Sequence, residues 1–177
     1  MNALLTPRNL LVLGLIAAAV FSRLLPHPPG FVAVGAVALF SGACFADRRA
    51  AFLVPLAAMF LSDLVIGVHS AMPLVYACFA VIVCMGMLLR RRRTSLAIGG
   101  MAVGAALFFH LVTNFAVWAF SSRYPHTLEG LMACYVAAIP FFERSVAGNL
   151  FYCTLLFGAL YVAERKFAPL REATPQS

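Results

Sequence analysis

Charge is scarce in this chain. Only 11% of its 177 residues are charged, 63% are hydrophobic, and mean hydropathy is +0.95. An ordinary soluble domain is about a quarter charged, so this composition points to a helical membrane protein. Other absences narrow the chemistry. No GxxxxGK[ST] stretch occurs, so the chain has no phosphate-cradling loop, and any ATP-driven energy has to come from separate subunits. Its five cysteines form no CxxC pair, which argues against a zinc site or a redox motif. No two of the four histidines share metal-ligand spacing on one helix. Internal repeats, heptads and low-complexity segments are missing as well.

What is present is six apolar runs of about span length, at residues 9–25, 31–46, 50–68, 72–89, 95–120 and 145–163. They predict an all-α membrane protein, one integral domain over 1–177 with six transmembrane helices. The first run, with Arg8 before it and small residues at 17–19, has features of a signal peptide. Because more apolar runs follow, it reads as the first span. The stretch 26–30, PHPPG, cannot be helical, since proline fixes φ and disfavours the α region before it. Four arginines at 90–93 stop the fourth run. Residues 121–144 read as a loop carrying a partly apolar helix at 131–139, which Pro140 is expected to break.

Orientation follows from the cations. With the N-terminus inside, the inner segments hold Arg8, Arg48, Arg49, Arg90, Arg91, Arg92, Arg93, Arg165, Lys166 and Arg171, ten of the thirteen basic residues. The outer side holds Arg23, Arg123 and Arg144. This is the positive-inside pattern, so both termini are expected in the cytoplasm and the bacterial inner membrane is the expected location. The net charge of +7 then reflects topology and offers no case for nucleic acid. The arginine run 90–93 reads first as a topology anchor touching anionic lipid, the bilayer being the first partner, and second as a docking site.

The polar residues of the spans fall toward the outer end. Asp63 sits in an apolar run, where a carboxylate is costly and suggests function. Counting about 1.5 Å per residue from the turn after it, Asp63 and Cys78 lie roughly 8–9 Å deep on the same side. His110, Asn114 and Trp118 are spaced by four, as are Ser145, Asn149 and Cys153, and each set lines one helix face. Together with His27, His69, Tyr124, His126 and Arg144 they describe a wet outer cavity. The competing reading is interhelical glue. Asp63 is expected to pair with Arg144 or His110. Tyr76 and Cys78 lie about 200° apart on one helix, and Cys78 is the one expected to face the cavity. Cys44, Cys84 and Cys153 read as inert small hydrophobes. Cys78 and Cys134, near the outer face, stay open as a disulfide or as free thiols. Small residues at four-residue spacing, Gly14, Ala18 and Ser22, then Ala38, Gly42 and Ala46, read as helix-packing seams.

Several phrases carry a resemblance: LPHPP at 25–29, FLVPLAAMFLSDLVIG at 52–67, LVTNFAVW at 111–118 and CYVAAIPFF at 134–142. With the six short spans and the outward polar pocket, the chain resembles the S components of energy-coupling-factor transporters and an uncharacterised bacterial group of transport proteins related to them. The resemblance implies an S-component-like bundle that captures a small vitamin-type nutrient from the outer side, and a partner energy-coupling membrane subunit with ATPases. One branch, the solitary cobalamin transporters (the BtuM group), uses a membrane cysteine as a cobalt ligand. The resemblance puts that role on Cys78 and supporting roles on Asp63 and Arg144. A corrinoid is then the expected substrate, with no intrinsic cofactor. The expected substrate shell is His27, Asp63, His69, Cys78, His110, Asn114, Trp118, Tyr124, Arg144 and Asn149. Two other classes stay open: a small membrane enzyme using Cys78 with a nearby base, and a structural subunit without ligand.

Overall fold

The computed structural model describes residues 6–22, 30–31, 33–67 and 71–167. They form α1 (Pro7–Ser22), α2 (Val34–Cys44), α3 (Arg48–Ile66), α4 (Met72–Leu88), α5 (Ser95–Phe120) and α6 (Leu128–Lys166). No strand occurs among the described residues. Among the described residues two helices, α5 and α6, are long and apolar enough to cross a membrane; Pro7–Ala18 of α1, α2 and α4 are apolar but shorter, so six spans are an expectation that helix length alone does not meet.

Local chemistry sets where the helices begin. Pro7 opens α1, where its missing N–H costs nothing, and Thr6 Oγ1 accepts from Asn9 N. Side chains of Asp47, Thr94 and Thr127 cap α3, α5 and α6 by accepting from Arg49, Ala97 and Gly130. Pro73 lies in the first turn of α4. Gly67 ends α3 at φ 121°, a left-handed conformation that only glycine adopts without strain.

The helix α2 is the axis of the bundle, and all eleven of its residues are buried. It crosses α4 at a glycine contact. A Cβ on Gly42 would meet Val83 O, and one on Gly86 would meet Leu39 O and lie 2.9 Å from Leu39 C. Two backbones so close leave no room for any side chain, so the seam expected at Gly42 is a true packing contact. Below it, the Phe40 and Phe157 rings meet edge to face at 5.1 Å. On the α3 side, Pro55 removes the N–H that would bond Ala51 O, and Ser41 Oγ donates to that carbonyl at 2.8 Å.

Arginines complete the other end of α2. A helix leaves its last carbonyls without intrahelical partners and its C-terminus partly negative. Here Arg90 Nε donates to Gly42 O at 2.8 Å, Arg93 Nη2 to Ala43 O at 2.7 Å, and Arg8 Nη1 to Cys44 O at 2.7 Å. Arg8 also bonds Glu164 at 3.2 Å, tying α1 to the end of α6. The run 90–93 is therefore more than the expected lipid-facing anchor. Arg91 and Arg92 are exposed, but Arg90 and Arg93 turn inward and hold α2.

The break expected at Pro140 does not occur. The helix α6 continues through it for 39 residues, about 58 Å at ~1.5 Å per residue. The helix expected at 131–139 and the span expected at 145–163 are one continuous helix. It packs on α5 from both sides of the proline, which offsets the lost hydrogen bond. Tyr135 Oη donates to Leu111 O at 2.8 Å before it, and Asn149 Nδ2 to Ala102 O at 3.2 Å after it.

Candidate functional site

The end of the bundle away from the arginines gathers the remaining polar groups. The α3–α4 hairpin brings Asp63 and Tyr76 to nearly equal distances from its turn. Tyr76 Oη donates to Asp63 Oδ2 at 2.8 Å, and Asp63 is only 2% exposed. The sequence reading paired Asp63 with Arg144 or His110 and passed over Tyr76. The structure sets Tyr76 on Asp63, the residue that a mirror count about the turn selects. Arg144 is exposed beside Gly30.

The α5 stripe faces the first half of α6. His110 stacks between Tyr135 and Phe142, with ring centroids at 5.8 and 4.9 Å. Asn114 Nδ2 donates to His110 O at 2.8 Å and lies 3.2 Å from His110 Nδ1. Cys134 Sγ reaches Asn114 O at 3.5 Å. One turn further, Trp118 Nε1 donates to Pro125 O at 3.0 Å, and its ring meets Phe115 and His126 at 5.5 and 5.7 Å. Trp118 thus fastens the α5–α6 loop, in which Tyr124 is half-buried.

The α6 stripe turns elsewhere. Ser145 Oγ donates to Gly30 O at 3.2 Å, and buried Asn149 bonds Ala102 O while its amide fills the space over Gly35. Both line a cavity of ≈ 60 Å³ between α2, α4, α5 and α6, walled by Phe79, Ile82 and Phe109. At ~30 Å³ per water it has room for about two. His110, Asn114, Trp118 and Cys78 are not among its lining residues. The single wet cavity expected from the two stripes is therefore divided in three: the Asp63–Tyr76 pair, the His110–Asn114 cluster, and the Ser145–Asn149 cavity. Spacing showed which residues share a helix face, but not which neighbour that face meets.

Cys78 is buried and, like Cys44, Cys84, Cys134 and Cys153, is a free thiol, so the disulfide left open with Cys134 is not formed. Of the three read as inert small hydrophobes, Cys44 and Cys153 are buried and Cys84 is exposed on α4. No group of three or more metal-ligating side chains gathers among the described residues. His27 and His69 lie outside the described residues.

No curated protein and no solved structure matches the chain. A protein family does, from residue 4 to residue 173, nearly the whole length. The chain belongs to that family, a family of unknown function (DUF6580).

Proposed function

We propose that this protein is a multi-pass inner-membrane binding protein for uptake of a small vitamin-type nutrient. In this reading all six helices lie in the bilayer, with the arginine end cytoplasmic. The observation that carries it is the Ser145–Asn149 cavity, enclosed by apolar side chains between α2, α4, α5 and α6. Polar groups in such surroundings keep hydrogen-bond partners, here Gly30 O for Ser145 and Ala102 O for Asn149, and a solute would exchange for those bonds. The cavity is too small for any vitamin, so capture requires the outer ends of the helices to part. Energy for release would come from a separate coupling subunit.

A corrinoid is the finer form of the proposal. It rests on the sequence resemblance, with the Cys78 thiolate as cobalt ligand. Protein purified in mild detergent is examined by mass spectrometry and absorption for a co-purified small molecule. A visible corrinoid spectrum that Cys78→Ser shifts supports this form. A corrinoid bound with an unchanged spectrum in Cys78→Ser removes the thiol from the site. Purified protein that retains no small molecule, in cells whose nutrient uptake is unaffected by its loss, defeats the binding reading itself. Orientation is checked by impermeant thiol labelling of Ser122→Cys and Gln176→Cys, of which only the first should react from outside.

A further inference from the structure

A second cavity lies at the arginine end, between the start of α5 and the last third of α6, with a volume of ≈ 650 Å³. That is within the range of small-molecule sites, about 300–1,000 Å³. Its α6 wall is Leu150, Thr154, Phe157, Gly158 and Tyr161, one helix face. Its α5 wall is Ser95, Ile98 and Gly99, and Arg93 stands at the mouth. Two glycines keep the groove open. A Cβ on Gly158 would meet nothing within 4 Å, and one on Gly99 would only graze Leu150 at 4.0 Å.

The two ends of this groove differ in chemistry. Deep in it, the walls are Ile98, Leu150 and Phe157. At the mouth are the Arg93 guanidinium, the Ser95 hydroxyl and the Tyr161 ring, with Arg165 stacked over that ring at 4.7 Å. The nearby carboxylate, Glu164, is engaged by Arg8. Arg93, which also donates to Ala43 O, and Arg165 make the mouth cationic, and the Ser95 hydroxyl adds a hydrogen-bond donor. Along α6, Leu150 to Tyr161 spans roughly 16 Å at ~1.5 Å per residue. One leaflet of hydrocarbon is about 15 Å, half of the ≈ 30 Å core.

We propose that this groove holds an anionic phospholipid of the cytoplasmic leaflet, its phosphate at Arg93 and Ser95 and one acyl chain between α5 and α6. The match of groove length to one leaflet, with cations only at the headgroup end, distinguishes a lipid from a soluble anion. The proposal rests on the bilayer placement argued above and is independent of the nutrient.

The test is native mass spectrometry of the purified protein in detergent with equal amounts of phosphatidylglycerol and phosphatidylcholine. Phosphatidylglycerol should be retained about tenfold over phosphatidylcholine, the ratio that one charge-assisted contact worth ~1.4 kcal/mol gives. Gly158→Leu fills the groove without touching the arginines and should remove the adduct while leaving the thermal midpoint in phosphatidylcholine unchanged. Arg93→Gln should lose the headgroup preference, though it also uncaps Ala43, so Gly158→Leu decides. Equal retention of the two lipids, or an undiminished adduct in Gly158→Leu, overturns the proposal. Displacement of the lipid by free glycerol phosphate would assign the mouth to a soluble anion and overturn the acyl half. Alkaline extraction of cell membranes separates the two readings. Release of the protein defeats the bilayer placement, whereas a retained protein without lipid preference defeats only the groove.

Discussion

The two ends of the bundle use their polar residues in opposite ways. At the arginine end the bonds reach across the chain. Arg8 to Cys44, Arg90 to Gly42 and Arg93 to Ala43 join residues 36, 48 and 50 positions apart. At the other end most bonds stay local: Asp63 with Tyr76 at 13, Trp118 with Pro125 at 7, and Asn114 with His110 at 4. Long-range bonds tie separate helices, so losing them loosens the fold, while local bonds can be exchanged without unlinking helices. The exceptions are Ser145 and Asn149, which bond across 115 and 47 positions and line the small cavity, and Tyr135 and Cys134, which bond α5 across 24 and 20 positions. One end fastens the structure. In the binding reading proposed above, the other is the end that opens.

Removing Arg90 is the strongest way to break this comparison. Arg90→Met leaves Gly42 O, near the end of a buried helix, without its charged donor, and removes a weaker bond to exposed Ala46 O. A hydrogen bond to a charged group contributes about 1.5–3 kcal/mol. A loss of about 2–3 kcal/mol is expected, read as a drop in thermal midpoint and in accumulated protein. Exposed Arg91→Met and Arg92→Met should each stay within about 0.5 kcal/mol. Equal effects from all four arginines would mean that they act only as a charge cluster, and the division between the ends would fall.

That difference among four adjacent arginines marks where sequence reading stopped. Apolar runs outlined the spans, and α5 covers the expected 95–120, the charged run 90–93 before it being a local signal. Which arginines turn inward depends on where the C-terminus of α2 lies, and that is a tertiary fact. Pro140 misled for a related reason. A proline lowers helix stability locally, but packing of the flanking turns on α5 outweighs it. Asp63 is visible in the sequence as costly, whereas the neutral Tyr76 phenol that bonds it carries no such mark. The cavity residues Ser145 and Asn149 were legible from their spacing, whereas Gly35, which makes room for Asn149, carried no signal of its own.

The next effect lies between the ends, at the α2–α4 crossing. Gly42→Ala would put a methyl onto Val83 O and within 3.0 Å of Met87 N. Backbone cannot yield as a side-chain tip does, so overpacking of about 1–3 kcal/mol is expected. Thermal unfolding of the purified protein checks it. A variant as stable as the native protein would show the helices free to separate there.

At the opposite end the expected effects divide between stability and function. Tyr76→Phe removes one hydrogen bond to Asp63 and should cost about 1 kcal/mol. Asp63→Asn and Asn114→Leu should reduce ligand binding or uptake more than they reduce protein in the membrane, measured by quantitative immunoblot beside the uptake assay. Were uptake per molecule unchanged in all three, these residues would be interhelical glue, and the end would be structural like its counterpart.

The smallest effect concerns the other small-residue stripe, on α1, which the sequence presents in the same terms as the one on α2. Gly14 and Ala18 are exposed, and a Cβ on Gly14 would meet nothing within 4 Å. Glycine in a helix interior costs roughly 0.5–1 kcal/mol relative to alanine, through the freedom the unfolded chain loses. Gly14→Ala should therefore stabilise the protein by about 0.4–1 kcal/mol, the reverse in sign of Gly42→Ala. Identical chemistry at two glycines would give opposite results, decided only by what lies opposite each. Thermal midpoints of the two variants, measured in the same detergent, make the comparison. A destabilising Gly14→Ala would mean that a neighbour packs against α1 in the purified particle. The size of that particle by light scattering, compared between native protein and variant, would then show whether the neighbour is a second copy.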